Sequence, residues 1–249
     1  MKRAMLSMAA AALAAAGPGC SPNPPERAGA GEQAGREWAR PPVIDRVERA
    51  GAALVVSGLA GPEARVVLRG DDGAAFAATA DPRGRFEIRI PPGAGHLLLR
   101  PETRNGQEAA PSPDQLLILA AGQGPIAVLR PGGPTRRLDA APALGAIDSD
   151  GRMRVASGRV VAGTAAVEVR SGVETVQVAP DSQGRWSVIL PPREGSDQIR
   201  VAGREFRWPG DAAGSPALSV ERLESGWRIR WSGPGGAAQT TWLPQPAGP

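Results

Sequence analysis

The sequence predicts an all-β protein built as two tandem β-sandwiches, and three observations predict it. A stretch of twelve residues occurs twice: Asp81-Pro82-Arg83-Gly84-Arg85-Phe86-Glu87-Ile88-Arg89-Ile90-Pro91-Pro92 and Asp181-Ser182-Gln183-Gly184-Arg185-Trp186-Ser187-Val188-Ile189-Leu190-Pro191-Pro192. In each copy Asp opens a tight turn with Gly three residues later, the place where a type I turn tolerates positive φ. Alternation follows, with Phe86, Ile88 and Ile90 sharing one face and Trp186, Val188 and Leu190 sharing it in the second copy. Each Pro-Pro then ends the strand, because proline brings no N–H to the ladder. The second observation is composition: 33 glycines and 26 prolines in 249 residues, set between short period-2 segments, mean many turns between short strands. The third is length, because a repeat of about 100 residues divides the chain into two copies, each long enough to bury a core. No long amphipathic helix pattern occurs.

Taken in order, the chain opens with Met1-Lys2-Arg3 and an Ala-rich apolar run to Ala16. This has the charged and hydrophobic parts of a secretory signal and is too short to span a membrane as a mature helix. Gly17-Pro18-Gly19-Cys20-Ser21 comes next and resembles the lipobox of bacterial lipoproteins, with Gly17 standing where that family prefers Leu. The resemblance implies that residues 1–19 are a signal peptide, that Cys20 receives the lipid and becomes the mature N-terminus, and that the protein is anchored in the cell envelope. With Ser21 beside Cys20, it implies the outer membrane, facing the periplasm. Cys20 is the single cysteine, so no intramolecular disulfide can form. Residues 20–41 lack large aliphatic side chains and carry Pro, Gly and charge, which predicts a flexible tether of about 25 Å r.m.s. span. Trp38, near its end, is expected to pack back on the first sandwich.

The first sandwich, residues 42–141, is predicted to hold strands at 43–49, 53–58, 64–69, 74–80, 85–90, 96–100, 116–120, 126–130 and 135–139, separated by Gly, Pro or Asp punctuation. The second, residues 145–244, repeats the order at 152–158, 165–170, 173–178, 185–190, 198–202, 217–223, 226–231 and 239–243. Ser57-Gly58 matches Ser157-Gly158, Val66 and Leu68 match Val167 and Val169, and Pro131-Gly132-Gly133 matches Pro234-Gly235-Gly236. The repeat unit is therefore expected to be the whole domain. The order of strand, Asp-x-x-Gly-Arg-aromatic, alternating strand and Pro-Pro resembles bacterial immunoglobulin-like and carboxypeptidase-regulatory-like domains. That resemblance covers most of residues 42–244 and implies immunoglobulin-like β-sandwiches of the kind used as spacers or as adhesion and interaction modules.

Charge excludes some functions. The formal charge of +4 falls when Lys2 and Arg3 leave with the signal, and the remaining basic residues are all arginines, scattered along the sequence. Nucleic-acid binding has no support from this pattern. A nucleophile–base–orienter set needs more than one histidine offers; His96 has no counterpart in the second copy and reads as a turn or strand-edge residue. Transition-metal binding fails on ligand count, and no cofactor motif is present. Asp148-Ser149-Asp150-Gly151 and Asp71-Asp72-Gly73 place oxygens as a calcium loop begins, without its later acidic residues, and read as turns. Arg69-Gly70-Asp71 is a chance tripeptide in a chain rich in all three residues.

Aromatic concentration is the remaining signal. Trp227 and Trp231 share a face with Ile229, and Trp242 falls on the strand expected to pair with theirs. Exposed, these indoles would form a platform for a glycan, peptidoglycan or a protein partner; buried, they would fill a core as Ile126 and Val128 would in the first copy. The outward Arg228 and Arg230 favour burial. The sequence thus points to a non-catalytic envelope lipoprotein, a structural spacer or protein-interaction module held to the membrane through its N-terminus. The alternatives are a module binding glycan through these tryptophans and a carboxylate-based hydrolase.

Overall fold

The computed structural model describes residues 40–93, 95–105, 108–212, 218–233 and 235–245, all within one compact unit. The signal, Cys20, Trp38 and the tether as far as residue 39 lie outside the described residues. Among the described residues regular structure is strand, apart from a 3₁₀ turn at Ala120–Gly122. The first half runs β1 (Val43–Ala50), β2 (Ala53–Leu59), β3 (Arg65–Gly70), β4 (Ala75–Thr79), β5 (Arg85–Ile90), β6 (Leu97–Asn105), β7 (Glu108–Pro111), β8 (Gln115–Ile118), β9 (Ile126–Leu129) and β10 (Arg136–Arg137). These form a three-stranded sheet in the order β1-β2-β5 and a seven-stranded one in the order β10-β9-β8-β6-β3-β4, with β7 on β6. All pairings are antiparallel.

The second half runs β11 (Leu144–Ser149), β12 (Arg154–Arg159), β13 (Val167–Ser171), β14 (Glu174–Val178), β15 (Arg185–Leu190), β16 (Asp197–Val201), β17 (Arg204–Trp208), β18 (Ser219–Leu223), β19 (Gly226–Ser232) and β20 (Ala238–Pro244). Its sheets are β15-β12-β11-β20-β19-β18 and β14-β13-β16-β17. The fold is all-β and immunoglobulin-like, two antiparallel sandwiches in succession.

The duplicated stretch does in both halves what its residues require. Asp81 Oδ1 accepts the N–H groups of Arg83 and Arg85 at 2.8 Å each, and Asp181 Oδ1 accepts those of Gln183 and Arg185 at 2.8 and 2.9 Å. Gly84 and Gly184 sit at φ 78° and 75°, and a Cβ on either would strike the carbonyl oxygen of Ala60 or Val160. Only glycine meets both demands. Gly58 and Gly158 are shared because a Cβ on either would strike the carbonyl oxygen of Val43 or Ala143 and overlap the ring of Phe86 or Trp186. Phe86, Ile88, Ile90, Trp186 and Leu190 are all buried, each contributing about 1.5–3 kcal/mol.

The equivalence ends after β8 and β17. In the first half β9 and β10 continue the sheet of β6 and β8, whereas β18, β19 and β20 attach to β11 in the opposite sheet. The two Pro-Gly-Gly turns therefore join strands in non-equivalent sheets, and the repeat is not the whole domain. Three strands escape the sequence reading. β11 is masked by Gly145, a bulge residue between Leu144 and Ala146, and by Asp148-Ser149, which look like turn chemistry. β7 and β17 are short hairpin partners of β6 and β16. The strand expected at 135–139 shrinks to Arg136–Arg137.

Three apolar cores result. One lies inside the first sandwich and one inside the second. The third joins the halves: Leu117, Leu119, Ala127 and Leu129, on the outer face of the large first sheet, meet Ala146, Trp227, Ile229, Trp231 and Leu243. β9 is consequently buried on both faces. Polar ties rim this layer, with Gln115 Nε2 donating to the Ser232 carbonyl at 3.0 Å and Arg137 Nη1 to the carbonyls of Gly145 and Pro244 at 3.2 Å.

Candidate functional site

The tryptophans anticipated as a platform are buried. Trp231 and Trp242 are 0% exposed and Trp227 is 6% exposed, so the exposed platform is absent and the core alternative describes them. They do not act together either. Pairing of β19 with β20 sets Trp242 opposite Arg228 and Trp227 opposite Leu243, which places Trp242 on the face turned from the other two. Trp242 fills the second sandwich, while Trp227 and Trp231 fill the layer between halves. Their counterparts there are Ala127 and Leu129, one residue along from the expected Ile126 and Val128, which belong to the first core. The asymmetry has a packing cause: small Ala127 and Ala146 in that layer leave room that indoles occupy. His96 borders this layer. Its Nδ1 accepts the Ala120 N–H at 3.1 Å, and its ring meets Trp227 edge-on at 5.5 Å, with the Arg222 guanidinium over the same indole at 4.7 Å.

Two buried polar clusters hold the second half. In the first, Asp148 accepts the hydroxyls of Thr135 and Thr241 at 2.6 Å each and the Thr135 N–H at 2.7 Å. Thr241 in turn accepts the Trp231 indole N–H at 3.0 Å, and Ser157 Oγ donates to the Thr135 carbonyl at 2.9 Å. Burial pushes the Asp148 carboxyl up to about 6, against the downward pull of these hydrogen bonds. Asp148 was expected in a turn, but it lies within β11; the turn belongs to Asp150, whose Oδ1 accepts the N–H groups of Arg152 and Met153 at 2.8 Å, and to Gly151 at φ 82°.

In the second cluster, Arg154 and Asp197 pair at 3.0 Å, with side chains 1% and 7% exposed. Arg154 also donates to the Pro191 carbonyl and lies 4.6 Å from the centre of the Trp208 ring, while Ser171 donates to Asp197 at 2.6 Å. Burial works upward on the Asp197 carboxyl, but the bonds from Ser171 and Arg154 outweigh it and hold it below its ordinary value. Among the described residues no group of three or more His, Cys, Asp or Glu could hold a metal ion.

Open to solvent is a shallow depression of about 440 Å³ on the outer face of β3, β4 and β6, lined by Arg65, Val67, Arg69, Ala75, Ala77 and Arg104. Glu102, on β6 opposite Val67, accepts Arg69 Nη2 at 2.8 Å and Arg104 Nε at 3.1 Å. The Arg69 hydrogen bond holds the Glu102 carboxyl below its ordinary value despite partial burial. Arginines that look scattered in the sequence are thus gathered by strand register. Arg69 of the Arg-Gly-Asp tripeptide belongs to this cluster; Asp72 receives the Ala74 N–H at 3.0 Å in the β3–β4 turn.

No protein-family model and no curated protein sequence matches the chain. Among solved structures it is similar to one described as "Biofilm associated protein - BSP domain", at 15% sequence identity and a TM-score of 0.21, over 71% of this chain. The match spans 30% of that structure's chain, less than a third of its length.

Proposed function

We propose that the protein is an exported envelope lipoprotein, anchored through Cys20 to the outer membrane and acting without catalysis as a rigid spacer or interaction module. The observation that carries this reading is the third apolar core. By burying Trp227, Trp231, Leu117 and Leu129 between the halves, it makes two sandwiches into one body with fixed exposed faces, which is what a spacer needs. The buried carboxylates support the non-catalytic part, because Asp148 and Asp197 spend their oxygens on Thr135, Thr241, Arg154 and Ser171. Such partners are structural. The anchor rests on the Met1–Ser21 sequence.

Small-angle scattering of the Cys20→Ala chain is expected to fit a single rigid particle for residues 40–245, and a profile requiring two independently moving bodies would defeat the spacer reading. Fractionation tests the anchor: Cys20→Ala should move the protein from membrane to soluble periplasm, and an unchanged distribution would refute it.

A further inference from the structure

The two halves carry equivalent outer faces with different charge, and the first one is built at a cost. On β3 and β6, Arg65 stands directly opposite Arg104, Val67 opposite Glu102, and Arg69 opposite Arg100. Like charges set directly across antiparallel strands destabilise a sheet, and here two such pairs lie on one face about 13 Å apart along β3. Within each pair the backbones are about 5 Å apart. Glu102 is the single carboxylate on these strands' outer face, and it holds Arg69 and Arg104 by one oxygen. On the β4 side Arg65 faces Thr79 and Arg69 faces Ala75, so β4 brings no compensating charge.

The second half relieves the same arrangement. Of the two pairs it keeps only Arg170 opposite Arg200, and Glu205 takes the Arg200 guanidinium. Where Arg65 and Val67 stand, it has Ala166 and Glu168. One face is balanced by its own carboxylates; its duplicate keeps two arginine pairs, of which Arg65, Arg69 and Arg104 line the hollow.

We propose that the face of β3, β4 and β6 binds a linear acidic polysaccharide, with carboxylates held by Arg65 and Arg104 at one end and by Arg69 and Arg100 at the other. Guanidinium forks match carboxylates in bidentate geometry, and Glu102 fixes two of the four in advance. Val67, Ala75 and Ala77 give an apolar floor over which sugar rings can lie. The hollow is concave, which suits a chain lying in it better than a flat anionic membrane. It has no aromatic lining on which nucleic-acid bases could stack. The inference rests on this face and not on the spacer reading.

Polygalacturonate is the probe, titrated against the full chain carrying Cys20→Ala at low salt, with dextran, inorganic phosphate and phosphatidylglycerol vesicles as comparisons. Binding to polygalacturonate and not dextran is expected, weakened at least tenfold in Arg65→Ala/Arg104→Ala and in Arg100→Ala. The double variant removes a like-charge pair and with it the Glu102–Arg104 ion pair, so it should melt close to the parent; should it fail to fold, Arg100→Ala decides. Arg46→Ala/Arg49→Ala, of equal charge change on β1, should bind as the parent does. The proposal is overturned by absence of binding, by undiminished binding in the face variants, or by an equal loss in the β1 variant. Preference for phosphate or vesicles over the polysaccharide overturns it too.

Discussion

The duplication supplies an internal experiment on the buried ion pair. Strand register makes Arg154 equivalent to Leu54, since they face Leu190 and Ile90, and makes Asp197 equivalent to Leu97, since they face Trp208 and Ile118. One fold therefore solves the same interior position once with a salt bridge and once with leucines. Removing either charge alone leaves its partner buried and uncompensated, at about 3–5 kcal/mol. Arg154→Leu/Asp197→Leu removes both. What remains against the double variant is the Pro191 carbonyl stripped of its guanidinium donors and the buried Ser171 hydroxyl stripped of its carboxylate acceptor, about 1–3 kcal/mol each, offset by apolar burial of the kind Leu54 provides. We expect the double variant within about 2 kcal/mol of the parent and a coupling between the sites of at least about 2 kcal/mol. Urea denaturation at pH 7 followed by tryptophan fluorescence measures all four corners of the cycle, with Trp208 beside the pair as reporter. Additive losses, or single variants costing under about 1 kcal/mol, would refute the claim that this pair is buried and coupled.

Asp148 supplies a pH signature. Its carboxyl is raised from 3.8 to about 6 by burial, so the native state holds its proton more tightly than the unfolded chain does. That stability is fully present below about pH 3.8 and is lost as pH rises through about 6. The stability difference between parent and Asp148→Asn should thus favour the parent by about 2 kcal/mol more at pH 4 than at pH 7.5, measured by urea unfolding; a difference independent of pH would refute it. Trp231→Ala opens a cavity in the layer between halves and breaks the indole bond to Thr241, costing about 3–5 kcal/mol. Thermal melting checks this, and a melting temperature equal to the parent's would show that the layer does not hold the halves.

Features set by local chemistry were legible in the sequence. The Asp-to-Gly turns and the strands after them follow from side-chain acceptors, positive φ and alternation, all within a dozen residues. What depends on which strands become neighbours was not legible. The sheet that β18–β20 join decides whether Trp227 and Trp231 face a core or solvent, and alternation alone only says that they share a side. Arg65 and Arg104 lie 39 positions apart in the chain, and only the β3–β6 register sets them face to face. Asp148 was misread because Asp and Ser before Asp-Gly carry the same local signal whether the chain turns there or two residues later. The Arg154 pair offered no signal, since its partner at Asp197 sits on another strand.

The layer that joins the halves also sets an order of events during synthesis. Its first-half contribution, from β8 and β9, is complete by Leu129, yet its last contributor, Leu243, lies at the far end of the chain. At about 5–20 residues per second, the outer face of β9 waits several seconds for its cover. β20 is also the strand that pairs β11, the opening strand of the second half, so that sandwich cannot close before its final strand is made. A nascent chain therefore carries a bare apolar face at an intermediate length. Loss of the residues around Leu243 would therefore be a lesion to both halves at once.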